Sequence, residues 1–222
     1  MRIVKLTQET EKNILENMLK RSPGQYGEYE SRVQEILARV KEQKDEAVFH
    51  YTKQFDRADI GPENVRVTDQ EIEEAYRQVD PELLQVMKKA LENIRSYHAL
   101  QKQNSWFEST EKGTMLGQKL TPLKTVGVYV PGGKAAYPSS VLMNIVPAKV
   151  AGVDRIIMCT PCNVRGQVNP IVLAAAKEAG ADEIYKVGGA QAIGAMAYGT
   201  EIKLWARETS MWPWPKRLCM VM

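Results

Sequence analysis

The sequence predicts an α/β fold in which a mainly helical N-terminal region precedes an incomplete parallel sheet built from three strand-helix units. Three observations carry this. Apolar residues recur at helical spacing over roughly the first hundred residues, the period changes after Gly113, and three short apolar runs then follow, each leading through a loop into a helix. The expected organisation is a helical region at 1–110, a sheet-bearing domain at 111–202, and a compositionally foreign tail at 203–222.

The elements follow in order. From Tyr29 to Phe55 the apolar positions Val33, Ile36, Leu37, Val40, Ala47, Val48 and Tyr51 mark one face of a single amphipathic helix. Val65 and Val67 suggest a short extended piece. Thr68, followed three residues later by Glu71, has the form of a capping box, so a helix starts there and runs through Val79. Asp80 can cap the next helix with Pro81 at its first position, and Leu84, Met87, Leu91, Ile94 and His98 continue its stripe to about Gln103. Val126 to Val130 is wholly apolar around Gly127, as in a strand covered on both faces. PGGKAAYPSS is then a loop whose Ser139 or Ser140 could cap VLMNIVPAKVAG. Arg155 to Met158 is the second strand. Asn169 and Pro170 open a helix that Gly180 ends, Glu183 to Val187 is the third strand, and Gly188 and Gly189 turn into AQAIGAMAYG. Three such units are half of a doubly wound, Rossmann-like nucleotide-binding layer. A half-layer should leave a sheet edge and an apolar face uncovered.

Composition excludes several classes. With 222 residues, 44% hydrophobic and 26% charged, the chain can bury a core. The longest run of apolar residues and glycine, Ala192 to Gly199, is far below the roughly 20 residues of a membrane span, and no signal-peptide core follows Met1. Cytoplasmic location is expected, and the three cysteines are too few for a disulfide framework. The formal net charge of +3 arises after Ile202, where Lys203, Arg207, Lys216 and Arg217 face only Glu208. The remaining body is neutral and gives no electrostatic footprint for nucleic acid.

In an open parallel sheet, ligands collect beyond the carboxyl ends of the strands. Two loops at that edge stand out, YVPGGKAAYPSS and VGGAQAIGA, although neither the G-x-G-x-x-G nor the P-loop pattern occurs. Gly132 and Gly133 could admit a ligand beside Tyr129 and Lys134, or could simply form a tight turn. Cys159 and Cys162 have C-x-x-C spacing, but no helix start follows at once to activate a thiol. The only histidines, His50 and His98, lie in the helical half, too far in sequence to suggest a zinc set. The cysteines read as incidental, with redox or metal use the other option, and the histidines as core-edge residues.

The string VGVYVPGGKAAYPSSVLMNIVPAKVAGV, followed by NPIVLAAAKEAGADEIYKVGGAQAIGAMAYGTE, resembles the histidinol dehydrogenase family over about residues 1–202. The earlier YTKQFDR, with Phe55 and Asp56, and TPL before the first strand are similar too. The resemblance implies oxidation of L-histidinol to L-histidine through an aldehyde with two NAD, a zinc ion, and an intertwined homodimer with incomplete Rossmann-like domains. By position in these motifs it makes Tyr129 and Gln191 cofactor-binding residues that contact NAD. It places the zinc ligands, the substrate-binding residues and a glutamate-histidine pair beyond residue 202, so no catalytic or metal residue carries over to this chain.

After YGTE the family continues with a stretch similar to KIVGPGNIYVALAK, whose asparagine is another NAD contact. Here the chain reads KLWARETSMWPWPKRLCMVM. Methionine and tryptophan have single codons and every proline codon begins CC, so the DNA behind Met211 to Pro215 is partly fixed. Read one nucleotide earlier, it must encode valine, alanine, one of leucine, methionine or valine, and alanine, which matches the family's VALA. Trp205 and Ala206 likewise yield glycine. The expectation is a frameshift near Ile202 or Lys203, and therefore a truncated, inactive histidinol dehydrogenase fragment with weak NAD binding at best. Two alternatives are a sequence error in a full zinc enzyme, and a non-catalytic NAD-binding or dimerisation module that pairs with an intact subunit.

Overall fold

The computed structural model describes residues 27–110, 113–132 and 136–202, together with Thr7 and Thr10. The tail at 203–222, with its three tryptophans and Cys219, lies outside the described residues, as do Gly133 and Lys134.

The helical half begins with α1, Gly27–Gln43, and α2, Asp45–Asp56. The single helix expected over this stretch is thus two. Lys44 takes φ 52, a conformation that leaves no trace in hydrophobic periodicity, and its ammonium reaches the Tyr198 carbonyl at 3.4 Å. The break aims Ala47, Val48, Tyr51 and Thr52 inward. Asp45 then accepts a hydrogen bond from the Ile202 amide at 3.0 Å, which ties the helix start to the end of the matched motifs.

The extended piece at Val65 and Val67 is present and has a partner. Arg66 bridges Tyr185 antiparallel, with Lys186 N donating to Val65 O at 2.8 Å and Val67 N to Ile184 O at 2.9 Å. The β5 edge is therefore covered at this point, while β3, at the other edge, pairs only with β4 among the described strands. The capping box follows: Thr68 N donates to Glu71 Oε2 at 2.9 Å and Glu71 N to Thr68 Oγ1 at 3.2 Å, opening α3, Asp69–Gln78. Thr68→Ala removes the acceptor for Glu71 N and should cost about 1 kcal/mol in a urea unfolding titration. Asp80 accepts from Glu82 N at 2.8 Å and Pro81 starts α4, Pro81–Ala99, which buries Met87 and Leu91. It ends four residues short of the expected Gln103, in turns closed by Leu100 N and Gln101 N.

Two strands absent from the sequence reading come next. β1, Trp106–Ser109, and β2, Met115–Gln118, form an antiparallel hairpin across the expected boundary at residue 110. All eight residues are exposed, so neither strand carries the alternating burial that makes a strand legible.

β3, Thr125–Tyr129, β4, Arg155–Cys159, and β5, Glu183–Tyr185, form the parallel sheet in the order β3-β4-β5. Tyr129 pairs with Cys159, and Cys159 with Tyr185, which aligns the three carboxyl ends. Successive residues on a strand face opposite sides. Ile156, Ile157 and Met158 are all fully buried, so helices cover both faces of the central strand. The covering helices are α5, Pro138–Ala151, α6, Pro170–Ala179, and α7, Gly189–Tyr198. α5 packs on α4, α6 on α3 and α5, and α7 on α1 and α2.

Helix termini show where local signals suffice. Asn169 caps α6 by accepting from Ile171 N at 3.1 Å, and Gly180 leaves it at φ 87. Neither Ser139 nor Ser140 caps α5. Its cap is Tyr137, without a side-chain bond, because Pro138 with its fixed φ already starts the helix. β5 stops at Tyr185 rather than Val187 because Lys186 turns to pair with Val65. Among the described residues no helix is long and apolar enough to cross a membrane.

Candidate functional site

A cleft of about 810 Å³ opens at the carboxyl edge of the sheet, between the loops that leave β3, β4 and β5 and the ends of α2 and α3. Pro161, in the Cys159-Thr160-Pro161-Cys162 loop after β4, is the packing centre of its floor. It lies against Gly132 on one side and Gly188 on the other, and a Cβ on either glycine would collide with the proline ring. Glycine at both positions lets the two flanking loops close on one rigid residue.

Tyr129, at the end of β3, reaches across to the third loop, where its hydroxyl accepts a hydrogen bond from Gly189 N at 3.1 Å. Burial raises the phenol pKa and the nearby Asp56 charge adds to this, against the opposing Gly189 N–H. The hydroxyl is therefore protonated at neutral pH, and its own proton is free for a ligand. Gln191, in the first turn of α7, is 0% exposed, and among the described residues neither its Oε1 nor its Nε2 has a partner. Its Oε1 lies against Gly189, 2.6 Å from where a Cβ would stand. The fold thus brings the two predicted cofactor residues to one corner, joined through Gly189. Only Tyr129 and Gly189 of this corner line the cleft; the Gln191 amide lies behind Gly189, buried and unpartnered.

Sequence reasoning missed Asp56 as a site residue. It ends α2, where Arg57 turns the chain at φ 56, and it lines the cleft with Tyr129 and Gly189. Its Oδ2 is buried without a partner, and burial holds its carboxyl above the ordinary range. Its presence in YTKQFDR was the one available signal, and that motif gives no role. On the cleft wall, Glu71 Oε1 meets Lys186 Nζ at 2.5 Å, with Lys186 only 5% exposed. Burial works against Glu71 ionising, but the Lys186 ammonium and the Thr68 donors outweigh it and hold the carboxyl below its usual range.

The other candidates do not join this corner as reactive groups. Cys159 is fully buried and burial pushes its thiol far above the ordinary range. Burial and then the Asp56 charge raise Cys162 as well, so neither is poised as a thiolate. His50 is exposed against Tyr51, and His98 makes a local contact with Gln101 at 2.7 Å. Among the described residues no three histidine, cysteine, aspartate or glutamate side chains come together as a metal-holding group, so they do not fit a zinc ion.

A family model described as Histidinol dehydrogenase matches residues 19–204. The Histidinol dehydrogenase of Heliobacterium mobile is 55% identical over 172 residues, 78% of this chain and 40% of that protein. The Histidinol dehydrogenase of Bacillus subtilis is 55% identical over 174 residues, again 78% and 40%. A crystal structure of Histidinol Dehydrogenase from Elizabethkingia anophelis superposes with a TM-score of 0.74 at 40% identity, covering 80% of this chain and 40% of that one. The chain thus spans about 40% of the length of these relatives.

Proposed function

Because this chain belongs to the histidinol dehydrogenase family, we propose that it is the nucleotide-side part of such an enzyme and holds NAD weakly at the corner of Tyr129 and Gln191. The observation that carries this is the corner at Gly189: Tyr129 lines the cleft with its hydroxyl proton uncommitted, and behind Gly189 the buried Gln191 amide has no partner at either atom among the described residues. In this reading Tyr129 donates its free hydroxyl proton to the dinucleotide, Gln191 reaches it only as the Gly189 turn that covers it gives way, and Pro161 with its two glycines shapes the floor. Bound there, NAD would supply the hydride acceptor for oxidation of L-histidinol to L-histidine.

The chain alone is proposed not to carry out that oxidation. The resemblance puts the zinc ligands and the proton-handling pair beyond residue 202, and the described residues do not fit zinc. The frameshift read from the codons accounts for the tail at 203–222. The proposed organisation remains a helical region at 1–110, a nucleotide-side domain at 111–202 and that tail, in a cytoplasmic protein.

A second reading rests on the hairpin. Trp106, Phe107, Met115 and Leu116 are all more than half exposed, an apolar surface of the kind that marks partner contact. It favours pairing with an intact subunit, as the family's homodimers imply, and co-purification of the chain with a tagged full-length subunit would test it.

The main test is a melting-temperature titration with NAD beside an assay with histidinol, NAD and zinc. Stabilisation by NAD without NADH formation is expected. NADH formed above the blank would overturn the inactivity, and a melting temperature unmoved by saturating NAD would overturn the binding.

A further inference from the structure

We propose that Asp56 selects the nucleotide: its carboxylate accepts hydrogen bonds from the hydroxyls of the adenosine ribose, so that the cleft takes the dinucleotide without a 2′-phosphate and rejects the one that carries it. This deepens, and rests on, the reading of the corner as a dinucleotide site.

Four observations converge on that carboxylate. Its Oδ2 is buried with no partner, which leaves an acceptor waiting for a donor. It stands 3.3 Å from the position of a Cβ on Gly188, at the entrance to α7, where free N–H groups would otherwise attract an anion. A carboxylate at that spot is an acceptor for a hydroxyl. Beside it, Tyr129 offers the complementary donor, because its oxygen is already engaged by Gly189 N. One acceptor and one donor at a single corner match a vicinal diol, whose hydroxyls can both donate and accept.

The third observation is the charge of the cleft. Its described lining contains Asp56, Glu71 and Glu74 but no lysine or arginine, and the nearby Lys186 is already committed to Glu71. A phosphate held against Asp56 itself would meet that carboxylate with no cation among these described lining residues. The fourth is an acid missing from its usual place. In a dinucleotide-binding layer the residue that takes the ribose hydroxyls ordinarily stands near the end of the second strand. Here that strand end is Cys159-Thr160-Pro161-Cys162, with no acid, and α2 brings Asp56 to the same edge from outside the sheet.

The test uses the full chain and two probes, NAD and NADP, read by calorimetric titration and melting temperature. The unsubstituted chain should bind NAD and prefer it over NADP by about tenfold or more, the scale of hydrogen bonds to a charged group. Asp56→Asn should weaken NAD by about tenfold and bring NADP to within about threefold of it. The same variant without nucleotide should melt no lower than the parent, since it removes the charge from a half-buried carboxyl whose Oδ2 has no partner. Asp56→Glu, which keeps the charge and displaces it, should weaken NAD while still excluding NADP, and gives the reading independently if Asp56→Asn does not fold. An Asp56→Asn chain that binds NAD undiminished and still excludes NADP overturns the assignment and leaves the dinucleotide site standing. A parent chain that does not bind NAD overturns both.

Discussion

Glu71→Gln is expected to cost about 2–4 kcal/mol of folding stability at neutral pH, whereas Lys186→Met should cost about 1 kcal/mol or less. The asymmetry follows from burial. Lys186 is 5% exposed, so removing its partner strands an ammonium that cannot return to water. The Glu71 side chain is 32% exposed, so removing Lys186 leaves a carboxylate that rehydrates, and the methionine fills the space apolarly. Glutamine also preserves the reach back to Thr68 N, so the capping box survives and the loss measures the ion pair. Urea unfolding of both variants at pH 7 checks the prediction, and equal small losses would mean that Lys186 finds water.

The pH dependence has a definite sign. Once burial is offset by Lys186 and Thr68, Glu71 has a lower pKa folded than unfolded. Its contribution is therefore present above the ordinary carboxylate pKa of about 4.3 and lost as pH falls through the folded value. Glu183 acts in the same direction: its hydrogen bond from Arg155 outweighs burial and Tyr185 adds to it. The gap between the parent and Glu71→Gln should narrow only as pH falls below the ordinary carboxylate range and through the lowered folded value, because protonation then strands Lys186 in the parent too. Asp56 has the opposite sign. Its folded pKa is raised, so it costs the unliganded protein stability as pH rises from the unfolded toward the folded value, and Asp56→Asn should remove that cost.

What was legible in the sequence is what short-range physics decides. Three apolar runs became three strands, the central β4 buried on both faces and β3, expected to be covered on both, mostly half-buried, and Thr68, Asp80 and Asn169 became caps because each has a backbone N–H within two or three residues to accept from. Lys44 broke the long helix unannounced, since a positive φ at lysine is imposed by tertiary contacts rather than by propensity. The hairpin was silent because its residues face solvent. At the candidate site, Tyr129 and Gln191 could be named from motif position, but not the Gly189 amide that joins them. Asp56 could not be assigned a role at all, because its meaning depends on a cleft that the fold closes with distant residues such as Tyr129 and Gly189.

Gly188→Ala is expected to cost about 1–3 kcal/mol and to abolish nucleotide-dependent stabilisation. The new Cβ would stand 2.6 Å from Pro161 Cβ and 3.3 Å from both Pro161 Cα and Asp56 Oδ2. A proline ring cannot rotate aside, and Gly132 blocks retreat on its other face, so the loop carrying Asp56's neighbours must shift instead. Gly61→Ala is the control, since a Cβ there meets nothing within 4 Å and its stability should change by under about 0.5 kcal/mol. The two collisions at Pro161 also differ in the atom they strike. Gly132→Ala meets chiefly the ring Cγ, which Pro161→Ala deletes, while Gly188→Ala meets the Cβ, which alanine keeps. Pro161→Ala should therefore rescue the first variant and leave the second impaired, a coupling that a double-mutant cycle reads directly. Rescue of both would mean that the loops yield around Pro161 and that the floor of the cleft is not set by this wedge.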